Sequence, residues 1–160
     1  MERNEAAVVR LLQTRGWRIS FAESCTGGLA AGRLVDVPDA STVFDGAFVT
    51  YSNEKKTKLL GVSPETIAQY GVVSEPVALE MAVGAAERME AQAAVGISGV
   101  AGPSGGSAEK PVGMVCFGFV IGARQESRTM RFGDMGRNAV REASVDYVFE
   151  TLRGLLEETE

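Results

Sequence analysis

Ser24, Lys56 and Tyr51 are the side chains in this sequence whose chemistry best fits a catalysed reaction. A serine hydroxyl becomes a good nucleophile only when a neighbouring base takes its proton. The sequence contains no histidine, and this excludes the Ser-His-Asp and Cys-His arrangements. The base must then be a lysine, a carboxylate or a tyrosine. We assign Ser24 as nucleophile, Lys56 or its neighbour Lys55 as base, and Tyr51 as proton donor or relay.

A lysine can act as a base only when its amine is neutral. The pKa of a free lysine is about 10.4, so the amine is almost wholly charged at neutral pH. Burial of the side chain, or a neighbouring cation, lowers that pKa. The assignment therefore requires a base that is buried or close to another positive charge.

The turn that carries Ser24, residues 21–28, lies between a short apolar segment and a stretch with helical apolar spacing. The first backbone N–H groups of a helix lack intrahelical partners and favour anions. We expect N–H groups near Thr26, Gly27 and Gly102 to hold a substrate anion. A serine before a helix is also a common N-cap, and Cys25, which has no histidine partner, is expected to be a buried inert thiol.

A loop rich in glycine spans residues 99–107 and allows bare backbone to approach a ligand. It matches neither the dinucleotide-binding, the Walker nor the nucleophile-elbow pattern. The spacing of Tyr51 and Lys55 matches the Tyr-x-x-x-Lys pair of short-chain dehydrogenases, so a nucleotide-dependent oxidoreductase is one alternative. The glycine-rich cofactor turn that such an enzyme needs near its start is missing.

The positions of these residues depend on alternating helices and strands. We predict helices over 5–15, 26–37, 54–60, 64–70, 75–89 and 137–156, and strands over 17–22, 42–51, 93–98, 112–121 and 127–132. The last two strands form an antiparallel hairpin with a connection over 122–126. The pattern predicts an α/β fold with a mixed sheet between helical layers. Ligands of such sheets bind outside the carboxyl ends of the strands, so the loops 23–28, 51–53 and 99–107 should share one crevice.

Length and composition limit the possible functions. The 160 residues fit one domain, 1–160. The net charge of -5 argues against nucleic-acid binding, although a small anionic ligand is compatible with it. The two cysteines are too few for a disulfide framework, and neither a signal segment nor a membrane span is apparent. We expect a cytoplasmic protein that uses no metal and forms a homo-oligomer.

Five segments together resemble one family: residues 22–28, 48–54, 71–76, 96–106 and 110–113. In this order they closely resemble the CinA C-terminal domain family, whose enzymes are nicotinamide mononucleotide amidohydrolases. The resemblance implies hydrolysis of the nicotinamide carboxamide to nicotinate mononucleotide and ammonia, without a cofactor, in pyridine-nucleotide recycling. It also implies a three-layer α/β/α sandwich with a mixed, mostly parallel five-stranded sheet. The chain is similar to the stand-alone form of the family.

The resemblance also implies the roles of individual residues. The catalytic serine, lysine and tyrosine of the family fall on Ser24, Lys56 and Tyr51. Its glycine-rich segment falls on four glycines that we expect to bind the nucleotide: Gly99, Gly102, Gly105 and Gly106. Its Gly-Arg-x-x-Val-Arg pattern places Arg137 where it can bind the phosphate. A non-catalytic nucleotide-binding module of the same fold is the main alternative, whereas an adaptor in DNA uptake finds no support in an acidic chain.

Overall fold

Five strands form one mixed sheet in the order β2-β1-β3-β4-β5. The computed structural model describes residues 1–159. Its strands are β1 Ile19–Glu23, β2 Phe48–Val49, β3 Ala93–Gly99, β4 Met114–Ile121 and β5 Arg124–Arg131. Its α-helices are α1 Asn4–Arg15, α2 Leu29–Val35, α3 Asn53–Leu60, α4 Pro64–Tyr70, α5 Glu75–Met89 and α6 Arg137–Glu158.

The direction of the strands determines which loops meet. The central strand β1 pairs in parallel with β2 and with β3. The strand β4 pairs antiparallel with both β3 and β5, so it alone runs against the other four. The carboxyl ends of β1, β2 and β3 therefore lie at one edge of the sheet.

Helices cover both faces of the sheet. Residues of α1, α2 and α6 pack on one face around Phe21, Ile97 and Phe117. Residues of α3 and α5 pack on the other face, with Ala22 and Ala94. Alternate residues of β3 point to opposite faces, as the strand period requires. The predicted α/β fold with helical layers on both sides of a mixed sheet is confirmed.

Helix α5 lies unusually close to the sheet. A Cβ atom on Gly96 of β3 would lie 2.0 Å from the carbonyl oxygen of Ala78. A Cβ atom on Gly118 of β4 would lie 2.5 Å from the same oxygen. Only glycine fits at these two strand positions, and the small residues of α5 make the close approach possible.

Three predicted elements have a boundary that is wrong by three residues or more. The strand predicted over 42–51 is reduced to β2 because a 3-10 turn at Ala40–Thr42 precedes it and Phe44 forms only an isolated bridge with Ile19. Helix α2 begins later than predicted because Gly28, with a φ of 102°, still belongs to the turn. Strand β5 begins earlier than predicted because a tight turn places Arg124 opposite Ile121. Within residues 1–159, no helix has the length and apolar character needed to cross a membrane.

Candidate active site

Ser24 follows directly on the last residue of β1 and continues its pairing, since its N–H donates to the carbonyl oxygen of Ile97 at 3.2 Å. The chain then turns sharply and enters α2 at Leu29. The hydroxyl of Ser24 thus lies at the carboxyl edge of the sheet. The Nζ atom of Lys56 lies 3.3 Å from the Oγ atom of Ser24, within hydrogen-bond distance.

Helix α3 determines which lysine reaches Ser24. The helix is capped by Ser52, whose hydroxyl accepts a hydrogen bond from the N–H of Lys55 at 3.2 Å. In this helical phase Lys55 is exposed, whereas Lys56 points into the protein and is 1% exposed. The amine of Lys56 also donates to the carbonyl oxygen of Thr50 at 2.9 Å. Of the two lysines, the structure brings to Ser24 the one that the family resemblance implied, Lys56.

Burial lowers the pKa of the Lys56 amine, because the charged form loses its hydration inside the protein. Cys25 acts in the opposite direction, but its influence is smaller. The direction of the pKa shift is the one that a neutral lysine base requires. Burial alone lowers this pKa, so no neighbouring cation beside Lys56 is needed.

The Cys25 thiol lies beside Ser24 but is not prepared for nucleophilic attack. Burial raises its pKa to about 11. The thiol therefore stays protonated at neutral pH, and a protonated thiol is a poor nucleophile. Cys25 packs with the apolar core on the α1, α2 and α6 face.

The carboxylate of Glu23 occupies the start of α2, where we had expected a substrate anion. Its Oε1 atom accepts hydrogen bonds from Thr26 Oγ1 at 2.6 Å, Gly28 N at 3.2 Å and Ala30 N at 3.0 Å. Its Oε2 atom accepts from Ala31 N at 3.0 Å. Sequence reasoning missed this role, although an acidic residue shortly before a predicted helix start is a recognisable signal. The first amides of α2 are consequently not free for a ligand.

The turn after Ser24 keeps one free backbone donor that a ligand can reach. The N–H of Gly27 donates to the carbonyl oxygen of Ser24 at 3.0 Å, so this group is not available to a substrate. The side chain of Thr26 is buried and bound to Glu23. The backbone N–H groups of Cys25 and Thr26, by contrast, have no acceptor within residues 1–159. Of the two residues, only Cys25 reaches the surface next to Ser24, because Thr26 is 0% exposed, so the Cys25 N–H is the donor available to an anion there.

A cavity of about 330 Å³ opens at this edge of the sheet. The loops after β1, β2 and β3 contribute to it together, as the sequence predicted, and α6 adds one residue. Its lining comprises Ser24, Cys25, Tyr51, Gly99, Val100, Ala101, Gly102, Ser104, Gly105, Gly106 and Arg137. Sequence reasoning had not singled out Ser104, which lies within the glycine-rich loop.

Arg137 bridges two sides of the cavity. Its Nη1 atom donates to the carbonyl oxygen of Gly102 at 2.7 Å, and its Nη2 atom donates to the hydroxyl of Tyr51 at 2.9 Å. The Tyr51 side chain is 64% exposed. Within the described chain no hydrogen bond joins Tyr51 to Ser24 or Lys56, although Tyr51 lines the same cavity as Ser24.

One position of the glycine-rich loop, Gly102, can be occupied only by glycine without strain. Gly102 has a φ of 81°, and a Cβ atom there would lie 2.4 Å from Cγ1 of Val112. A side chain at this position is disfavoured both by backbone conformation and by space. Across residues 1–159 there is no cluster of three or more cysteine, aspartate or glutamate side chains placed to hold a metal ion.

Two known proteins are similar in sequence to this chain over most of its length. The chain is 50% identical over 146 residues to the nicotinamide-nucleotide amidohydrolase PncC of Escherichia coli K12, covering 91% of this chain and 88% of that protein. It is 51% identical over 154 residues to a CinA-like protein of Mycolicibacterium paratuberculosis, of whose length it covers only 35%.

Solved structures agree with the fold. A CinA superfamily protein from Klebsiella pneumoniae superposes with a TM-score of 0.92 at 36% identity, over 98% of this chain and 97% of that one. The competence/damage inducible protein CihA from Agrobacterium tumefaciens gives a TM-score of 0.88 at 42% identity, over 99% and 98% of the two chains. The CinA C-terminal domain matches residues 1–156. The chain belongs to the CinA C-terminal domain family.

Proposed function

We propose that this protein hydrolyses the carboxamide of nicotinamide mononucleotide to nicotinate mononucleotide and ammonia, with Ser24 as nucleophile and Lys56 as base. The observation that carries the proposal is the distance of 3.3 Å between Lys56 Nζ and Ser24 Oγ. The relative from Escherichia coli, which is 50% identical and is named a nicotinamide-nucleotide amidohydrolase, supports the choice of substrate.

The proton transfer requires Lys56 as a neutral amine. A neutral amine has two hydrogens to donate and one lone pair. One hydrogen is bound to Thr50 O at 2.9 Å, and the lone pair accepts the proton of Ser24 Oγ. The serine oxygen then attacks the carboxamide carbon. The carbonyl oxygen becomes an oxyanion, and the free N–H group of Cys25 stabilises it.

The second half of the reaction uses the same groups in reverse. The proton that Lys56 took from Ser24 passes to the departing nitrogen, directly or through Tyr51, and the C–N bond breaks to release ammonia. The nicotinoyl group is then an ester on Ser24. Lys56 takes a proton from water, the hydroxide attacks the ester carbon, and the proton returns to Ser24 Oγ as the carboxylate leaves.

The rest of the cavity binds the nucleotide. Two nitrogens of Arg137 reach into the cavity region, and a guanidinium forms paired hydrogen bonds with phosphate. The loop with Gly102, Gly105 and Gly106 exposes backbone next to it. Phosphate binding in the same cavity as Ser24 anchors the substrate and disfavours free nicotinamide, which has no phosphate. We include in the proposal that the substrate is a single nucleotide and that the protein is cytoplasmic and homo-oligomeric. None of the reaction steps described above uses a metal or a cofactor.

The rival function is a nucleotide-binding module without catalysis, in which Ser24 is only part of a turn. Product analysis separates the two. Purified protein is incubated with nicotinamide mononucleotide, and ammonia and nicotinate mononucleotide are quantified, with Ser24→Ala as control. Equal amounts of both products from the wild type, and none from the variant, are expected. Nucleotide binding without product would overturn the proposal in favour of the module.

A further inference from the structure

Tyr51 is an aromatic residue that lines the cavity and is nevertheless largely open to solvent. It is 64% exposed, and it lines the cavity together with Ser24 and the glycine-rich loop. Among the described residues that line the cavity, Tyr51 alone is aromatic and none is acidic. A ligand that enters the cavity can therefore reach the Tyr51 ring directly.

The Tyr51 ring is held at its edge. The Nη2 atom of Arg137 donates to the Tyr51 hydroxyl at 2.9 Å, and the Nη1 atom of the same guanidinium donates to the carbonyl oxygen of Gly102 at 2.7 Å. A hydrogen bond to the hydroxyl lies at the rim of the ring, so it leaves the two faces uncovered. An aromatic ring that is already fixed in this way loses little freedom when a ligand packs against it.

The faces of this ring are not used within the protein. Within residues 1–159, neither an aromatic nor a cationic side chain packs over Tyr51, because the aromatic pairs and the cation–π contact involve other rings. These rings are Phe21, Phe44, Phe117, Phe119, Tyr147, Phe149 and Trp17. The negative face of the Tyr51 π system is therefore available to a ligand.

The proposed substrate brings a positive charge into the cavity. The bond to ribose makes the ring nitrogen of nicotinamide mononucleotide quaternary, so its pyridinium ring is cationic at every pH. The described lining of the cavity contains no carboxylate that could balance this charge. The face of a tyrosine ring attracts a cation electrostatically, and this attraction is the basis on which aromatic residues recognise quaternary nitrogen.

We propose that Tyr51 is a specificity-determining residue whose ring packs against the pyridinium of the substrate, so that the site selects a cationic ring over a neutral ring of the same shape. The inference rests on the proposed substrate, nicotinamide mononucleotide. One ligand then spans the cavity, with its carboxamide at Ser24, its pyridinium on Tyr51 and its phosphate at Arg137.

A simple support for Arg137 is the competing explanation for Tyr51. In that case only the hydroxyl of Tyr51 matters, and its loss weakens the binding of every phosphate-bearing ligand by the same factor. A ring that pairs with the pyridinium acts instead on the ratio of two affinities. The ratio between a cationic and a neutral ligand with the same phosphate cancels any effect that acts through Arg137.

The test compares nicotinamide mononucleotide with its benzamide analogue, in which carbon replaces the ring nitrogen and the charge is lost. Dissociation constants are measured by calorimetry in the Ser24→Ala background, so that neither ligand is consumed. The cationic ligand should bind about three- to thirtyfold more tightly. Tyr51→Phe should keep this ratio, whereas Tyr51→Leu should bring it close to one. Tyr70→Leu is the matched control and should keep the ratio, because Tyr70 is an exposed tyrosine that does not line the cavity.

Four results would overturn this role: a ratio near one with Tyr51 present, an unchanged ratio in Tyr51→Leu, an equal loss of the ratio in Tyr51→Phe, or the same loss in Tyr70→Leu. Failure of the proposed function has a different signature. The wild type would then release no ammonia from nicotinamide mononucleotide, while the affinity ratio and its dependence on the Tyr51 ring would persist.

Discussion

The amine of Lys56 lies 3.3 Å from the hydroxyl oxygen of Ser24, although 32 positions separate the two residues in the chain. The carboxyl end of β1 places the serine, and the first turn of α3 places the lysine. The carbonyl oxygen of Thr50 holds the amine from a second side. This pair has the geometry of a nucleophile and its base in a protein without histidine.

Ser24→Ala should abolish amide hydrolysis and leave nucleotide binding nearly unchanged. Cys25 cannot replace the missing hydroxyl, because burial raises its thiol pKa to about 11 and the thiol stays protonated. Turnover and nucleotide affinity are measured on the same preparation, with Cys25→Ala as the control that keeps Ser24. Parallel loss of affinity and turnover in Ser24→Ala would argue against a nucleophilic role.

The value of kcat/KM should rise with pH, because only the neutral amine of Lys56 accepts a proton. Burial lowers the pKa of this amine, so the midpoint of the rise should lie below the ordinary lysine value of about 10.4. Below the midpoint, activity should fall about tenfold for each pH unit. Rates measured between about pH 6 and pH 10 would show the rise.

Lys55→Ala is the control for this pH profile, because Lys55 is exposed and Ser24 is contacted by Lys56. Its profile should match that of the wild type. A flat profile in the wild type, or a midpoint at or above about 10.4, would be incompatible with a buried lysine base.

Arg137→Ala should raise KM for nicotinamide mononucleotide about tenfold or more, with a smaller effect on kcat, because a charged partner of the phosphate is lost. Arg137→Lys should recover only part of the affinity, since the paired hydrogen bonds of the guanidinium are missing. Nicotinamide riboside, which lacks the phosphate, provides the comparison. If the variant loses the same factor with the riboside, Arg137 does not recognise the phosphate.

Glu23→Ala should lower the free energy of unfolding by about 3 kcal/mol, because a buried carboxylate that accepts from Thr26 Oγ1 and three backbone N–H groups is removed. Urea denaturation measures the change. Glu142→Ala removes a largely exposed carboxylate paired with Arg33 and should have a much smaller effect. Equal stability of the Glu23 variant and the wild type would contradict the structural role of Glu23.

The sequence alone predicted the layers of the fold and the edge at which the loops meet. Strand and helix periodicities in the sequence determine the order of the elements. Loops that follow parallel strands lie at the same edge of the sheet, and this brings Ser24, Tyr51 and Gly102 to one cavity. The choice between Lys55 and Lys56 was not predictable from residue type, because adjacent lysines differ only in helical phase. That phase depends on the cap at Ser52.

Long-range contacts account for most of what the sequence did not predict. Glu23 fills the start of α2 because the turn folds back on the end of β1, and the amide groups of Ala30 and Ala31 are thereby used within the protein. The strand predicted over 42–51 failed because residues with strand propensity around Phe44 bend away after a single bridge. Local propensity does not record these tertiary contacts.

Ammonia release by the Lys56→Met variant tests the central claim most directly. Methionine fills similar space but has no amine to accept the proton of Ser24. With a chelator present throughout, the wild type should keep its activity, and the variant should lose about a thousandfold or more in kcat while remaining folded. Turnover of Lys56→Met within about tenfold of the wild type, or loss of wild-type activity in the chelator, would contradict a serine-lysine amidohydrolase.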